Sequence, residues 1–407
     1  MKVRSITCFF NPANGEGLDS LNRLADLAVD AKRRFEESGY PVQSARLATP
    51  PFPFFCQDLT LGNVIQLAQE LESAADRQGF AYVSMGPALP DCPQSYQVIP
   101  DVLSATQNVF LSGEIANAKT GVSLSAVKAC AQVITRTARF SKDGFTNLRF
   151  AALANVLPGG PFFPAAYHQG EELAFALAME AADVAVSAFS GAESIATGRQ
   201  RLLERLECGA SELGSLADQL TKRYEVHFLG FDFSLAPFPD QLCSLGKAME
   251  LIGAPRVGMS GSLAAAAILA DTLDQGNWLR TGFNGMMLPV LEDATLAARS
   301  ADGSLMVKDL LLYSAVCGTG LDTVPLPGDV SPEQVAALLL DLAALAIRLG
   351  KPLTARLMPV PGKHAGEVTE FHFDYFINGK VMALPSEPLH GVLIGDESVP
   401  IAPRRSQ

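Results

Sequence analysis

From end to end of this chain, short apolar runs of strand length alternate with longer runs whose apolar residues recur at helical spacing. Few folds are open to a chain written this way. Each strand must cross over a helix to reach the next, which is the pattern of an α/β protein built from repeated crossover units. Ten runs read as strands: residues 3–10, 42–47, 81–85, 99–103, 109–111, 148–154, 173–179, 226–233, 283–291 and 353–358. Between them, residues 18–37, 61–75, 123–140, 241–251, 262–274 and 307–316 read as helices, and 181–224 as a long helical region with breaks near Gly191 and Gly209. Residues 371–384 have the pattern of a hairpin turning at Asn378-Gly379, a strong type I′ signal. No linker interrupts the series, so residues 1–385 are expected to form one domain, with 386–407 an irregular tail.

One stretch, residues 315–362, gathers more chemistry than a scaffold needs. Cys317 stands between Val316 and Gly318, Asp322 and Asp329 follow, and Arg356 lies in the last strand-like run. The helix inside this stretch has Ser331 as N-cap, Pro332 in the first position, Gln334 for a capping box and Gly350 just past its end. Its body is apolar nearly all round, broken by Asp341 and Arg348, so it is expected to be buried between layers or at an interface.

Bulk composition narrows the partners. Charged residues are 18% and hydrophobic ones 48%, which implies much internal surface or a subunit interface, and hence a homo-oligomer. A net charge of −12 makes nucleic acid and anionic membranes poor partners, yet leaves room for a local cationic pocket that takes a small anion. Seven scattered cysteines without a Cys-x-x-Cys pair suggest neither a zinc knuckle nor a disulfide framework, and point to a reducing, cytoplasmic setting. The basic start at Lys2 and Arg4 precedes a short apolar run that reads as a first strand and not as a signal peptide. Residues 262–273 and 335–349 are too short or too interrupted to span a bilayer.

Several residues are candidates for chemistry, each with a plainer alternative. Cys317 is a nucleophile if a neighbour lowers its pKa, and otherwise a small buried apolar side chain. Arg356 has the planar fork to bind an anionic substrate or to pair with Asp322. His168 follows a rigid proline and aromatic loop and is the best general-base candidate; a surface or capping histidine is the alternative. Glu180, Asp232 and Asp322 stand at or near the ends of apolar strands, where α/β folds place ligands and where carboxylates also cap helices. Ser260 and Ser262 belong to a glycine-rich turn opening a helix, able to hold an anion on free amides or to serve as an ordinary N-cap. Carboxylates with His168 could hold a divalent cation, but no spacing matches a metal motif, and no motif names a cofactor.

Four runs carry a family resemblance. Phe162-Phe163-Pro164-Ala165-Ala166-Tyr167-His168, Gly258-Met259-Ser260-Gly261-Ser262-Leu263, the run from Cys317 to Asp329, and Lys351-Pro352-Leu353-Thr354-Ala355-Arg356-Leu357-Met358-Pro359 resemble the domain of unknown function numbered 711, also called uncharacterised protein family 0210. The resemblance covers most of the chain and implies a ten-stranded α/β barrel similar to that of pyruvate formate-lyase and other glycyl-radical enzymes. It implies no reaction. Radical chemistry of that kind needs a C-terminal glycine in an Arg-Val-x-Gly-Tyr-like loop, and Phe376-Ile377-Asn378-Gly379-Lys380 reads instead as a turn. The expected function is therefore a cytosolic enzyme without glycyl radical chemistry. A small polar or anionic ligand would sit at the barrel centre, bound by Arg356, Ser260, Ser262, Glu180 and Asp232. His168, Cys317 and Asp322 would carry the chemistry. A non-catalytic binding or regulatory protein, or an oligomeric scaffold, is the alternative.

Overall fold

Side-chain alternation in the first strand sets the two faces of the molecule. The computed structural model describes residues 1–13, 17–56, 58–170 and 172–404. In β1 (Lys2–Phe9), Val3, Ile6 and Cys8 enter the main core beneath the helices, while Ser5, Thr7 and Phe9 face the other way. That inner face is polar or small in many places, and a loop covers it instead of a helix. Thr7 Oγ1 donates to the Pro161 carbonyl at 2.8 Å and Ser84 Oγ to that of Ala166 at 2.7 Å, seating residues 158–168 on the inner side. Phe162, Phe163, Ala165 and Ala166 of this loop are buried there, and the Phe163–Pro164 peptide is cis.

Three parallel blocks make up the sheet. The central block is β1, β2 (Ala45–Ala48), β3 (Tyr82–Ala88), β4 (Val109–Asn117) and β6 (Phe150–Ala154), with the short β5 (Gly121–Ser123) beside β4. On one side β7 (Ala174–Glu180) runs antiparallel to β1 and parallel to β8 (His227–Ala236). On the other, β10 (Leu353–Val360) runs antiparallel to β6 and parallel to β9 (Gly320–Pro327). The order is β8-β7-β1-β2-β3-β4-β6-β10-β9, and β11 (Ser398–Val399), in the expected tail, pairs with β5. Residues 405–407 of that tail lie outside the described residues.

The strand expectations need four corrections. Residues 99–103 belong to α3 (Gln94–Ala105), because Val98, Ile99, Val102 and Leu103 are buried at helical spacing. Strand β9 had not been expected, because Pro325 and Pro327 mask it. Residues 283–291 do not form a regular strand, although the segment bonds to both end strands. The Thr281 amide donates to Phe231 at 3.1 Å and that of Met287 to Ser234 at 2.9 Å on β8, while that of Val290 donates to Asp322 at 3.1 Å on β9. The buried carboxylate of Asp232 is the physical cause. It accepts from the amides of Phe283 and Asn284 at 2.7 and 2.9 Å and draws them out of any ladder. A Cβ on Gly282, which has φ +75°, would come within 2.2 Å of the same carboxylate. Residues 371–384 likewise keep one antiparallel bridge, Val368 to Lys380. The Asn378 side chain clamps the Phe371 backbone instead, accepting from its amide at 2.7 Å and donating to its carbonyl at 3.0 Å.

The helices agree with their signals more closely. Residues 181–224 divide near Gly191 into α5 (Ala182–Phe189) and α6 (Ile195–Tyr224), but α6 runs unbroken through Gly209, where the methyl of Met1 occupies the space of a Cβ. In α11 (Pro332–Leu349) Ser331 and Gln334 form the expected capping box, and Gly350 ends the helix at φ +65°. Its apolar body is covered within the chain, chiefly by α4 (Leu124–Thr137). Among the described residues no helix is long and apolar enough to cross a membrane.

Candidate functional site

Three irregularities in the sheet bring charge to one end of its inner face. The first is a register shift between Val3 and Ser5 on β1, which singles out Arg4. On β10 a shift between Ala355 and Leu357 singles out Arg356, opposite Asp322 and Thr323 on β9, and Thr323 has φ +40°. The third lies where β7 meets β8, next to Glu180 and Leu235. Bulges of this kind re-aim side chains out of the regular alternation. Here they point charged groups at a common space.

The resulting cavity is ≈ 70 Å³, lined on its polar side by Arg4, Gln43, Arg46, Glu292, Asp322 and Arg356. Arg356 Nε donates to Asp322 Oδ1 at 2.6 Å and its Nη2 to Glu292 Oε1 at 2.9 Å. Arg4 reaches the other Glu292 oxygen, the Pro237 carbonyl at 3.1 Å and Glu180 at 3.5 Å. Lys2 also pairs with Glu180 at 3.3 Å. Burial works to lower the Arg356 pKa, but Asp322 and Glu292 outweigh it and the net direction is up. Removing Arg356 would strand the buried Asp322 carboxylate and leave Glu292 with Arg4 alone, at a cost of about 3–5 kcal/mol. Arg356 therefore holds the site together.

Arg46 differs from the other two arginines. It is 8% exposed, and its only hydrogen bond among the described residues runs from Nε to Ser44 Oγ at 2.9 Å. Both terminal nitrogens lack a partner among the described residues, and the guanidinium lies 5.6 and 5.4 Å from the Tyr82 and Phe163 ring centres. Burial first, then the like charges of Arg4 and Arg356, lower its pKa to about 10, which leaves it cationic at neutral pH. Three guanidiniums thus face two carboxylates in the lining, and the excess positive charge belongs to Arg46.

Of the candidates read from the sequence, Arg356 and Asp322 line this cavity, and Glu180 supports it through Arg4. Burial raises the Glu180 pKa, with Arg4 and Lys2 opposing. The others lie elsewhere. Asp232 is fully buried and holds residues 281–285; burial raises its pKa to about 6 against the hydrogen bonds it accepts. The backbone amide of His168 donates to the Thr49 carbonyl, past the far end of β2 from Arg46, roughly 10 Å along the strand at ~3.3 Å per residue. Cys317 is packed in the main core after α10 (Val307–Tyr313), where its amide donates to Tyr313. Ser262 Oγ accepts from the Gly258 amide and donates to the Arg256 carbonyl, closing a turn before α8 (Ser262–Asp274), and Ser260 is exposed in the same turn. His168 is buried and is not the surface or capping histidine of its plainer reading, and neither serine lines the cavity.

Arg4, Arg46 and Glu292 had not been singled out. The available signal was an arginine between Ala45 and Leu47 in a short strand inside a parallel block, where side chains on both faces are covered. Among the described residues no group of three or more His, Cys, Asp or Glu side chains could hold a metal ion.

Comparison with known proteins places the chain by sequence. Residues 1–378 match the family described as Uncharacterised ACR (DUF711). The chain belongs to this family. Among the DUF711 relatives, a UPF0210 protein of Pyrobaculum islandicum is 28% identical over 400 residues, covering 90% of this chain and 87% of that protein. One of Clostridium botulinum is 29% identical over 376 residues, with 87% and 82% covered. Another, of Pyrobaculum aerophilum, is 30% identical over 349 residues, with 81% and 76% covered. The cavity residues Arg4 to Arg356 all fall within the matched DUF711 span.

Proposed function

We propose that the chain is a cytosolic enzyme that binds a small anionic metabolite in this cavity and acts on it there without glycyl radical chemistry. The observation that carries the reading is Arg46, a buried residue whose two terminal nitrogens have no hydrogen-bond partner and no paired carboxylate among the described residues. An uncompensated buried cation is costly, and an anionic ligand removes that cost. The reading includes a closed ten-stranded barrel of the pyruvate formate-lyase kind, in which residues 279–291 take the tenth position between β8 and β9; their bonds to both strands support it. It also includes one barrel domain over residues 1–385 and a homo-oligomer with neither nucleic-acid nor membrane partners. All seven cysteines are unpaired, which supports a reducing compartment.

A second reading, a binding or regulatory protein without turnover, is favoured by one observation. His168 and Cys317, the side chains best suited to proton transfer and nucleophilic attack, do not line the cavity. Under the enzyme reading, acid-base work falls to Asp322 and Glu292.

Melting curves of wild type, Arg46→Gln and Arg46→Met in the presence of small carboxylates and phosphate test the proposal. Wild type is expected to be stabilised by at least one anion class, and both variants to lose that response. Without ligand, Arg46→Met should unfold about 1–3 kcal/mol harder than wild type, since the buried charge is gone. Identical ligand responses in all three proteins would overturn the proposal. Retained binding with no chemical change in any bound anion would favour the second reading.

A further inference from the structure

A second space adjoins the charged cavity. A groove of ≈ 490 Å³ is lined by residues of the α3–β4 connection, including Thr106 and Asn108, by Ser141 and Thr146, and by Arg149. Arg149 is not free for a ligand, because it donates to the carbonyls of Leu103, Thr106 and Val109. The groove shares four lining residues with the cavity: Tyr82, Phe110, Leu148 and Phe373. All four are aromatic or aliphatic, whereas Arg4, Arg46, Glu292, Asp322 and Arg356 line the inner cavity and not the groove. Phe110 meets Tyr82 edge-on at 5.1 Å and Phe163 edge-on at 5.3 Å, which makes one side of this collar a rigid aromatic wall.

We infer that the cavity selects a monoanion in which one carboxylate is joined to a flat apolar body, the carboxylate on Arg46 and the body in the collar. This rests on the anion-binding reading above and adds the chemical class. Charge count supports one negative charge, because Arg4 and Arg356 are engaged by Glu292 and Asp322 and only Arg46 is unmatched. A dianionic phosphate would bring a second negative charge close to those two carboxylates with no cation left for it. The two free terminal nitrogens of one guanidinium match the two oxygens of a carboxylate. A ligand longer than the inner chamber can extend between the four collar residues into the groove, where burial favours an apolar, and preferably planar, body.

Equilibrium titration of the full chain with 3-phenylpropionate, acetate and inorganic phosphate tests the inference, with Leu148→Trp and Arg46→Gln as variants. In wild type, 3-phenylpropionate is expected to bind about tenfold or more tighter than acetate, and phosphate more weakly than 3-phenylpropionate. Leu148→Trp, which fills the collar, should remove most of that advantage while changing acetate affinity by much less. Arg46→Gln should abolish both. Should Leu148→Trp fail to fold, Phe373→Ala opens the same collar from an irregular segment and is expected to weaken 3-phenylpropionate several-fold. Equal affinities for acetate and 3-phenylpropionate, or a collar variant that leaves their ratio unchanged, would overturn the inference. Phosphate binding tightest, and lost in Arg46→Gln, would overturn it while leaving the anion-binding proposal standing. If no anion binds and Arg46→Gln changes nothing, both fall.

Discussion

His168 Nε2 is buried with no hydrogen-bond partner among the described residues, whereas the two Nη atoms of Arg46, also unpartnered there, belong to a side chain that lines the cavity. They differ in charge. Burial lowers the His168 pKa below its ordinary 6.5, so the folded protein holds the ring neutral where an unfolded chain would protonate it. By linkage, its contribution to stability is complete above the unfolded pKa and is lost as pH falls below 6.5 toward the folded value. Melting temperatures measured at about pH 7.5 and pH 5.5 should therefore fall further in wild type than in His168→Gln. An equal drop in both would show that the ring titrates freely. At this scale the sequence was informative about pairing and silent about interiors. The partnership of Arg356 with Asp322 could be anticipated from two charged residues in neighbouring apolar runs. Arg46 was harder to see, because an arginine on the polar side of an alternating strand looks the same whether that side meets water or a buried cavity, and only its place inside a parallel block separates the two.

At the scale of single elements, the bulge between β9 and β10 shows how local strain is kept where it aims a side chain. Thr323 adopts φ +40°, a conformation unfavourable for a β-branched residue, and its buried hydroxyl has no partner among the described residues. Its neighbours Asp322 and Arg356 gain their cavity-facing geometry from that distortion. Thr323→Gly should accordingly be neutral or stabilising by about 1 kcal/mol, since strain and an unsatisfied hydroxyl are removed together. Val324→Gly, one residue on and in the main core, should cost about 2–4 kcal/mol. Urea unfolding of the two variants compares them directly, and a large loss in Thr323→Gly would mean that the threonine side chain stabilises the bulge. The same element explains a misreading. Two prolines hid β9 because proline ordinarily ends a ladder, yet β9 lies at an end of the regular strand order and tolerates the missing donors. The capping box of α11, by contrast, was fully legible, since each of its parts is a local hydrogen bond between residues three apart.

On the scale of the whole molecule, a ten-stranded barrel was expected from the family resemblance, and periodicity alone does not say whether the strands join end to end. Strand and helix alternation sets the class of fold, but the way residues 281–287 attach to β8 depends on one long-range device that no periodicity reveals. That device is Asp232, whose carboxylate replaces ladder bonds for the amides of Phe283 and Asn284 and fastens an irregular segment against β8. If the segment closes the sheet, its amides must be as hard to open as those of regular strands. Hydrogen exchange should then show the Thr281, Met287 and Val290 amides protected to within about tenfold of amides in β7 and β10, because a closed sheet opens only with the rest of the core. Asp232→Ala should lower protection across residues 281–287 by well over tenfold while leaving β3 and β4, in the middle of the strand order, nearly unchanged. The burial that raises the Asp232 pKa to about 6 adds a pH test with a defined sign. The folded protein binds this proton more readily than the unfolded chain, so this carboxylate makes the fold weaker as pH rises from about 4 through 6. Rapid exchange at residues 281–290 in wild type would leave β8 and β9 as free sheet ends. The cavity would then be a cleft, and Arg46 would have to hold its anion with solvent on one side.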